Sequence, residues 1–190
     1  MEPRLGQPCA GAYPLGSVSE RRSAIIATVR LPARIEAVRR GHVPNATLGL
    51  PPHVTILSPF VPAVVLDASI RRRLAGIAAD HAAFDVRFER CASFPDALYL
   101  VPDPAGPFVA LTTAVCRAFP QFPPYGEPSF RPEDVVPHLT IAIGERAAFD
   151  PLIELVTPAM PVAGRATAIT VIEEGPDGRW RTRSRIALRP

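Results

Sequence analysis

Lysine is absent from this 190-residue chain, so all 21 of its basic side chains are arginine. That removes any Schiff-base amine and any phosphate-loop lysine. Cysteine is scarce and odd in number: Cys9, Cys91 and Cys116, with no C-x-x-C. Neither a disulfide framework nor a zinc knuckle follows, and reduced thiols in a cytoplasmic protein are expected. Long apolar runs are lacking too. Ala24 to Ala27 is typical of the longest, whereas a membrane-spanning helix needs about 20 such residues. Met1 to Glu20 has no apolar core of the kind a secretory signal requires. Its Pro, Gly and Ser content predicts a flexible tail over 1–21. G-x-S-x-G, G-x-G-x-x-G, the Walker loop and H-E-x-x-H do not occur, so serine-hydrolase, dinucleotide and zinc-protease chemistries lack their motifs.

The composition fits a folded protein with a substantial core: 47% hydrophobic and 21% charged. The length suits one domain, expected over 22–190. A formal charge of +3 permits an anionic ligand without pointing to nucleic acid by itself. The 24 prolines fall between periodic segments and act as punctuation.

Strands are expected at 23–31 and 52–57, joined by a helix that Pro32 opens and Gly41 ends. A helix follows over 67–81, with Ile70, Leu74 and Ile77 on one face and Arg71, Arg72 and Arg73 on the other. Phe84, Val86 and Phe88 then alternate with Asp85, Arg87 and Glu89, as in a half-buried strand. The order then repeats: strand 97–101, helix 107–119, a long loop 120–136, strand 137–143 and helix 147–156. Strands 166–174 and 179–188 flank Gly175-Pro176-Asp177-Gly178, a hairpin turn signal. Strand, helix, strand, helix, strand thus occurs twice. The expected class is α+β, with two related lobes about a pseudo-twofold axis.

One short phrase also occurs twice. Pro52-His53-Val54-Thr55-Ile56 matches Pro137-His138-Leu139-Thr140-Ile141 at four of five places, in a chain with only four histidines. Alternate strand residues share a face, so each histidine projects with its threonine, about 6.5 Å along the chain. Val54, Ile56, Leu139 and Ile141 turn into the core. Two imidazoles and two hydroxyls meeting across a cleft suit a tetrahedral phosphate. One neutral ring takes a proton from the attacking water or hydroxyl, and one charged ring protonates the leaving oxygen. The hydroxyls donate to the non-bridging oxygens. Such a site needs no metal and no other cofactor. Two histidines without an adjacent Asp, Glu or Cys leave a zinc site incomplete.

This pair of H-x-T motifs, 85 residues apart in a duplicated α+β chain, resembles the 2H phosphoesterase superfamily, also called LigT-like or 2′-5′ RNA ligase-like. PPHVTILSPF at 51–60, FPDALYLVPDP at 94–104, FPPYGEPSF at 122–130 and VVPHLTIAIG at 135–144 resemble its bacterial branch. The resemblance spans about residues 22–188. It implies a bilobal fold of two antiparallel sheets about a central cleft, with helices outside and one motif per lobe. It implies 2′,3′-cyclic phosphodiesterase chemistry on RNA ends or small cyclic nucleotides, by a monomer without a membrane or obligate protein partner. It carries catalysis to His53 and His138 and phosphate binding to Thr55 and Thr140, with His138 as base and His53 as acid. ADP-ribose 1″,2″-cyclic phosphate and reversible 2′-5′ ligation remain alternative reactions. A non-catalytic RNA- or nucleotide-binding module is the alternative of another class.

Other residues are candidates for substrate contact. Phe60 follows the first motif, and Tyr125, Phe130 and Arg131 precede the second. The aromatics could stack on a base or pack in the core, and Arg131 could meet a phosphate. Tyr99 faces away from Leu98 and Leu100, either into the cleft or as the polar side of its strand. Arg179, Arg181, Arg183 and Arg185 recur at every second residue. They are expected on one strand face, opposite Trp180, Ile186 and Leu188, as a solvated stripe or a track for RNA phosphates. His42 and His81 are expected at helix ends, capping them or solvated.

Overall fold

The computed structural model describes residues 22–190. The tail expected over 1–21, with Cys9, lies outside the described residues. Among those described, eight strands form two four-stranded antiparallel sheets. The first sheet contains β1 (Ser23–Thr28), β2 (His53–Leu57), β7 (Ala168–Glu174) and β8 (Trp180–Ala187), in the order β2-β1-β7-β8. The second contains β3 (Phe84–Ser93), β4 (Ala97–Asp103), β5 (Leu139–Ile143) and β6 (Val162–Ala166), in the order β5-β4-β3-β6.

The sequence repeat is visible in this order, with a twist of topology. Each half ends in a strand that joins the other half's sheet. β3 closes the first half and pairs with β4, while β7 closes the second half and pairs with β1. Both motif strands, β2 and β5, occupy sheet edges, and the two edges lie next to each other.

Among the described residues, four α-helices cover these sheets: α1 (Ala33–His42), α2 (Ala68–Ala79), α3 (Gly106–Ala118) and α4 (Asp150–Val156). Here, too, the halves cross over, because α1 packs against β5 and α3 against β2. Thr112 of α3 donates its buried hydroxyl to the Ile56 carbonyl of β2 at 3.0 Å, which fixes that contact. Asp67 caps α2 by accepting the Ile70 N–H at 2.8 Å. Leu74 and Ala78 of α2 are buried and Arg71, Arg72 and Arg73 are exposed, as the periodicity predicts.

Several boundaries differ from expectation, among them β1, which ends at Thr28 and not at residue 31. Pro32 is the N-cap of α1 and not its first helical residue, and Gly41 lies inside a helix that runs on to His42. The first turn expected of α4 is a separate 3-10 turn at Arg146–Ala148. β6 has no clear pattern in its five residues, VAGRA. It is a strand because it pairs with β3, Phe84 opposite Ala166 through Phe88 opposite Val162. Its Gly164 lies against Val29, where a Cβ would come within 3.1 Å of a Val29 methyl carbon.

One apolar cluster joins the helix-facing sides of both sheets, including Ile25, Val54, Ile56, Phe88, Leu100, Phe108, Leu139 and Ile141. A smaller cluster of Ala24, Ile26 and Ile172, with Leu50 and Trp180, covers the opposite side of the first sheet. Ile26 stands opposite Thr55, so this second cluster lies on the side that carries the first motif's polar residues.

Candidate functional site

Both motifs have the alternation their strands require. Val54, Ile56, Leu139 and Ile141 are buried, while Thr55 and Thr140 are half-buried on the other face. His53 begins β2 opposite Thr28. His138 comes one residue before β5, so that strand is shorter than the expected 137–143. Thr140 stands opposite Tyr99 of β4.

The two histidines are held alike. Nδ1 of His53 donates to the Pro51 carbonyl at 2.6 Å, and Nδ1 of His138 donates to the Val136 carbonyl at 2.8 Å. A carbonyl can only accept, so Nδ1 carries the proton in each neutral ring. Nε2 is then the nitrogen with a lone pair for chemistry. Thr55 and His138 line one small cavity together with Ser58, Tyr125 and Val136. One residue of each motif, Thr55 and His138, thus borders a cavity at the seam between the sheets, whose lining does not include His53 or Thr140.

Their surroundings differ. Burial pushes the His53 imidazole down to about 4, against the Pro51 hydrogen bond, which favours the charged ring. The Arg39 guanidinium and then His138 add to the lowering. His138 is 7% exposed and is also lowered, by burial, against the Val136 hydrogen bond. Aromatic rings enclose it. Phe94 meets His138 edge-on at 5.1 Å between centroids, and Tyr99 lies at 5.3 Å. Phe94 and Tyr99 stack on each other at 4.4 Å. Tyr99 is therefore on the motif side of its strand, packed against the second histidine. Phe94 had no periodicity to mark it, since it lies in the turn between β3 and β4.

The long loop closes over this seam. Tyr125 adopts a left-handed backbone (φ 58°), and its N–H donates to the Ser58 carbonyl at 2.8 Å, beyond the end of β2. Its ring meets Phe130 edge-on at 5.0 Å. An aromatic residue in this region of backbone space is strained by about 1–3 kcal/mol, which the docked loop must offset. Tyr125 in this conformation lines the cavity that Thr55 and His138 also border.

Other candidates are elsewhere. Phe60 is 4% exposed and packs edge-on against Phe119 at 5.1 Å and Phe122 at 5.8 Å. It is a core residue, near the first motif in sequence but without a free face for a base. Arg131 is exposed and forms a two-pronged pair with Asp134 at 2.8 and 3.0 Å. Its charge is balanced within its own loop and is not brought to the histidines.

The arginine stripe is broken by a bulge. β8 slips against β7, with Ser184 opposite Val171 and Thr182 opposite Ile172, which leaves Arg183 as the extra residue. Trp180, Thr182 and Arg185 consequently share one face, and Arg181, Ser184 and Ile186 share the other. Trp180 packs in the smaller cluster, whereas Ile186 and Leu188 join the main one. The four arginines do not form one track. Arg181 pairs with Asp177 at 2.7 Å, Arg183 lies 3.9 Å from Glu173, and Arg185 donates to the Thr167 hydroxyl at 2.8 Å.

His42 and His81 donate to the Val38 and Ile77 carbonyls one turn earlier, as helix-end residues. Burial pushes the Cys116 thiol up to about 11 and raises Cys91 as well, so neither offers a thiolate. Among the described residues, no three His, Cys, Asp or Glu side chains group as metal ligands would. Nor is any helix among them long and apolar enough to cross a membrane.

The sequence pattern of the 2′-5′ RNA ligase superfamily matches residues 28–178. The fold is similar to that of E. coli LigT complexed with phosphate, with a TM-score of 0.52 at 18% identity, over 90% of this chain and 100% of that one. The same protein complexed with 3′-AMP gives 0.52 at 16%, over 90% and 100%. TT0787 of Thermus thermophilus gives 0.55 at 18%, over 88% of this chain and 98% of that one. No curated protein sequence matches the chain. The structural likenesses establish the fold, and the sequence pattern spans most of the chain, both motifs included: this protein belongs to the 2′-5′ RNA ligase superfamily, the 2H phosphoesterases.

Proposed function

We propose that the chain is a metal-independent 2′,3′-cyclic phosphodiesterase acting on RNA ends or cyclic nucleotides. The observation that carries this reading is the matched tethering of His53 and His138 through Nδ1, which leaves Nε2 of each ring for proton transfer. E. coli LigT was crystallised with phosphate and with 3′-AMP. A phosphoryl group and a nucleotide are the kinds of ligand this reading requires here.

In the proposed reaction, His138 takes a proton from water as the water oxygen bonds to phosphorus. The bond from phosphorus to the 3′ oxygen breaks, and His53 protonates that oxygen. The product is a 2′-phosphomonoester with a free 3′-hydroxyl. Thr55 and Thr140 donate to the non-bridging oxygens, where negative charge grows. Burial holds both rings below the ordinary histidine range, which favours two neutral imidazoles at pH 7. A bound phosphodiester anion favours the charged form of a ring beside it, so that His53 takes up from solvent the proton it later gives to the leaving oxygen. The ring strain of a cyclic phosphate lowers the barrier that the two rings must overcome. The test is hydrolysis of a 2′,3′-cyclic nucleotide in EDTA, with loss of turnover in both histidine variants.

A further inference from the structure

Arg39 is the largest fully buried side chain of the described residues, at 2% exposure. It lies in the last turn of α1, where arginine is ordinarily solvated. Instead its guanidinium turns inward and divides its donors. Nη1 meets Glu36 at 3.0 Å, and Nη2 donates to the Leu50 carbonyl. Leu50 is followed by Pro51, whose carbonyl holds Nδ1 of His53.

The loop before β2 is gripped from its other side as well. The Trp180 N–H donates to the Leu48 carbonyl at 2.8 Å. Gly49 has φ +94°, and a Cβ there would fall 2.8 Å from the Trp180 oxygen, so glycine is what lets the loop lie so close to β8. The loop thus has one anchor on β8 and one on α1. The α1 anchor is the nearer to His53. In the second motif, His138 is held by Val136 and bordered by the Phe94 and Tyr99 rings.

We propose that Arg39 is a positioning residue for the first motif: by fixing the Leu50 carbonyl it sets the Pro51 carbonyl and so aims Nε2 of His53. The inference rests on the function proposed for that histidine. Arginine suits the task because its planar fork serves two acceptors in fixed directions, which a lysine ammonium cannot do in the same geometry. Too deeply buried to reach substrate, it acts only through the loop and through its charge. That charge also favours the neutral form of His53. The charged or titratable groups acting on His53 are Arg39 from α1 and His138 from the facing motif. Glu36 and Arg40 act in turn on Arg39. A buried ion pair is frequently replaceable by apolar packing without loss of stability, so a structural role alone does not require this charge.

The test compares Arg39→Met, Arg39→Lys and His53→Ala with the wild type in the full chain. Three quantities are measured: kcat and KM on a 2′,3′-cyclic nucleotide against pH, the NMR titration of the His53 ring, and the melting temperature. Arg39→Met should stay folded, lose at least about tenfold in kcat with little change in KM, and titrate His53 at higher pH. The pH limb governed by His53 should move the same way. Arg39→Lys should recover part of kcat. A His53 titration and pH profile unchanged in Arg39→Met would overturn the inference, as would activity lost only in proportion to unfolded protein. If the wild type cleaves no cyclic phosphate, the proposed function fails, and the titration still decides for or against Arg39.

Discussion

The Pro51 carbonyl accepts the Nδ1–H of His53 at 2.6 Å, two residues away on the same strand entry. That short tether holds the ring where burial penalises its charge. An unfolded histidine titrates near 6.5, and in the folded protein His53 is lowered to about 4. Between those values the unfolded chain binds the extra proton. The stability this provides is therefore complete above about pH 6.5 and is lost as the pH falls through 4. A downward shift from 6.5 to about 4 corresponds to about 3 kcal/mol. Urea unfolding at pH 7 and 4.5 should show a larger loss for the wild type than for His53→Gln. Equal losses would contradict the desolvated, neutral ring.

Thr55 and Thr140 are half-buried on their strands, each two residues after its histidine. Valine keeps the branched shape and the strand preference but removes the donor. Thr55→Val and Thr140→Val should each reduce kcat by about 100-fold, the usual order for one donor to a developing oxyanion. Melting temperatures should change little. A rise in KM with kcat unchanged would mean that the hydroxyls bind substrate and transition state equally.

Phe60 tests the boundary between site and core. Packed between Phe119 and Phe122, it should cost about 3–5 kcal/mol of stability when cut back to alanine. The protein that remains folded should keep its KM for cyclic nucleotides. A raised KM at unchanged stability would return Phe60 to the substrate.

The motifs were legible because a strand declares itself in a few residues: His and Thr out, Val, Ile and Leu in. The duplicated order of elements was legible for the same reason. The exchange of final strands between sheets was not, since pairing partners are chosen in space. β6 was missed because VAGRA has almost no strand signature and owes its form to β3. The arginine stripe was misread because a perfect alternation of arginines hides the bulge at Arg183, which sends Trp180 and Ile186 to opposite faces. Arg39 could not be seen at all: a charged residue at a helix end looks solvated until the loop that folds over it is known.

The most direct measurement is the hydrolysis of 2′,3′-cyclic nucleotides and of a short RNA with a cyclic end, in EDTA. The wild type, His53→Ala and His138→Ala are compared. Paired-histidine catalysis predicts turnover that EDTA leaves unchanged and that falls by at least about 10²–10⁴-fold in each variant. Wild-type turnover that survives either substitution, or that EDTA abolishes, would contradict it.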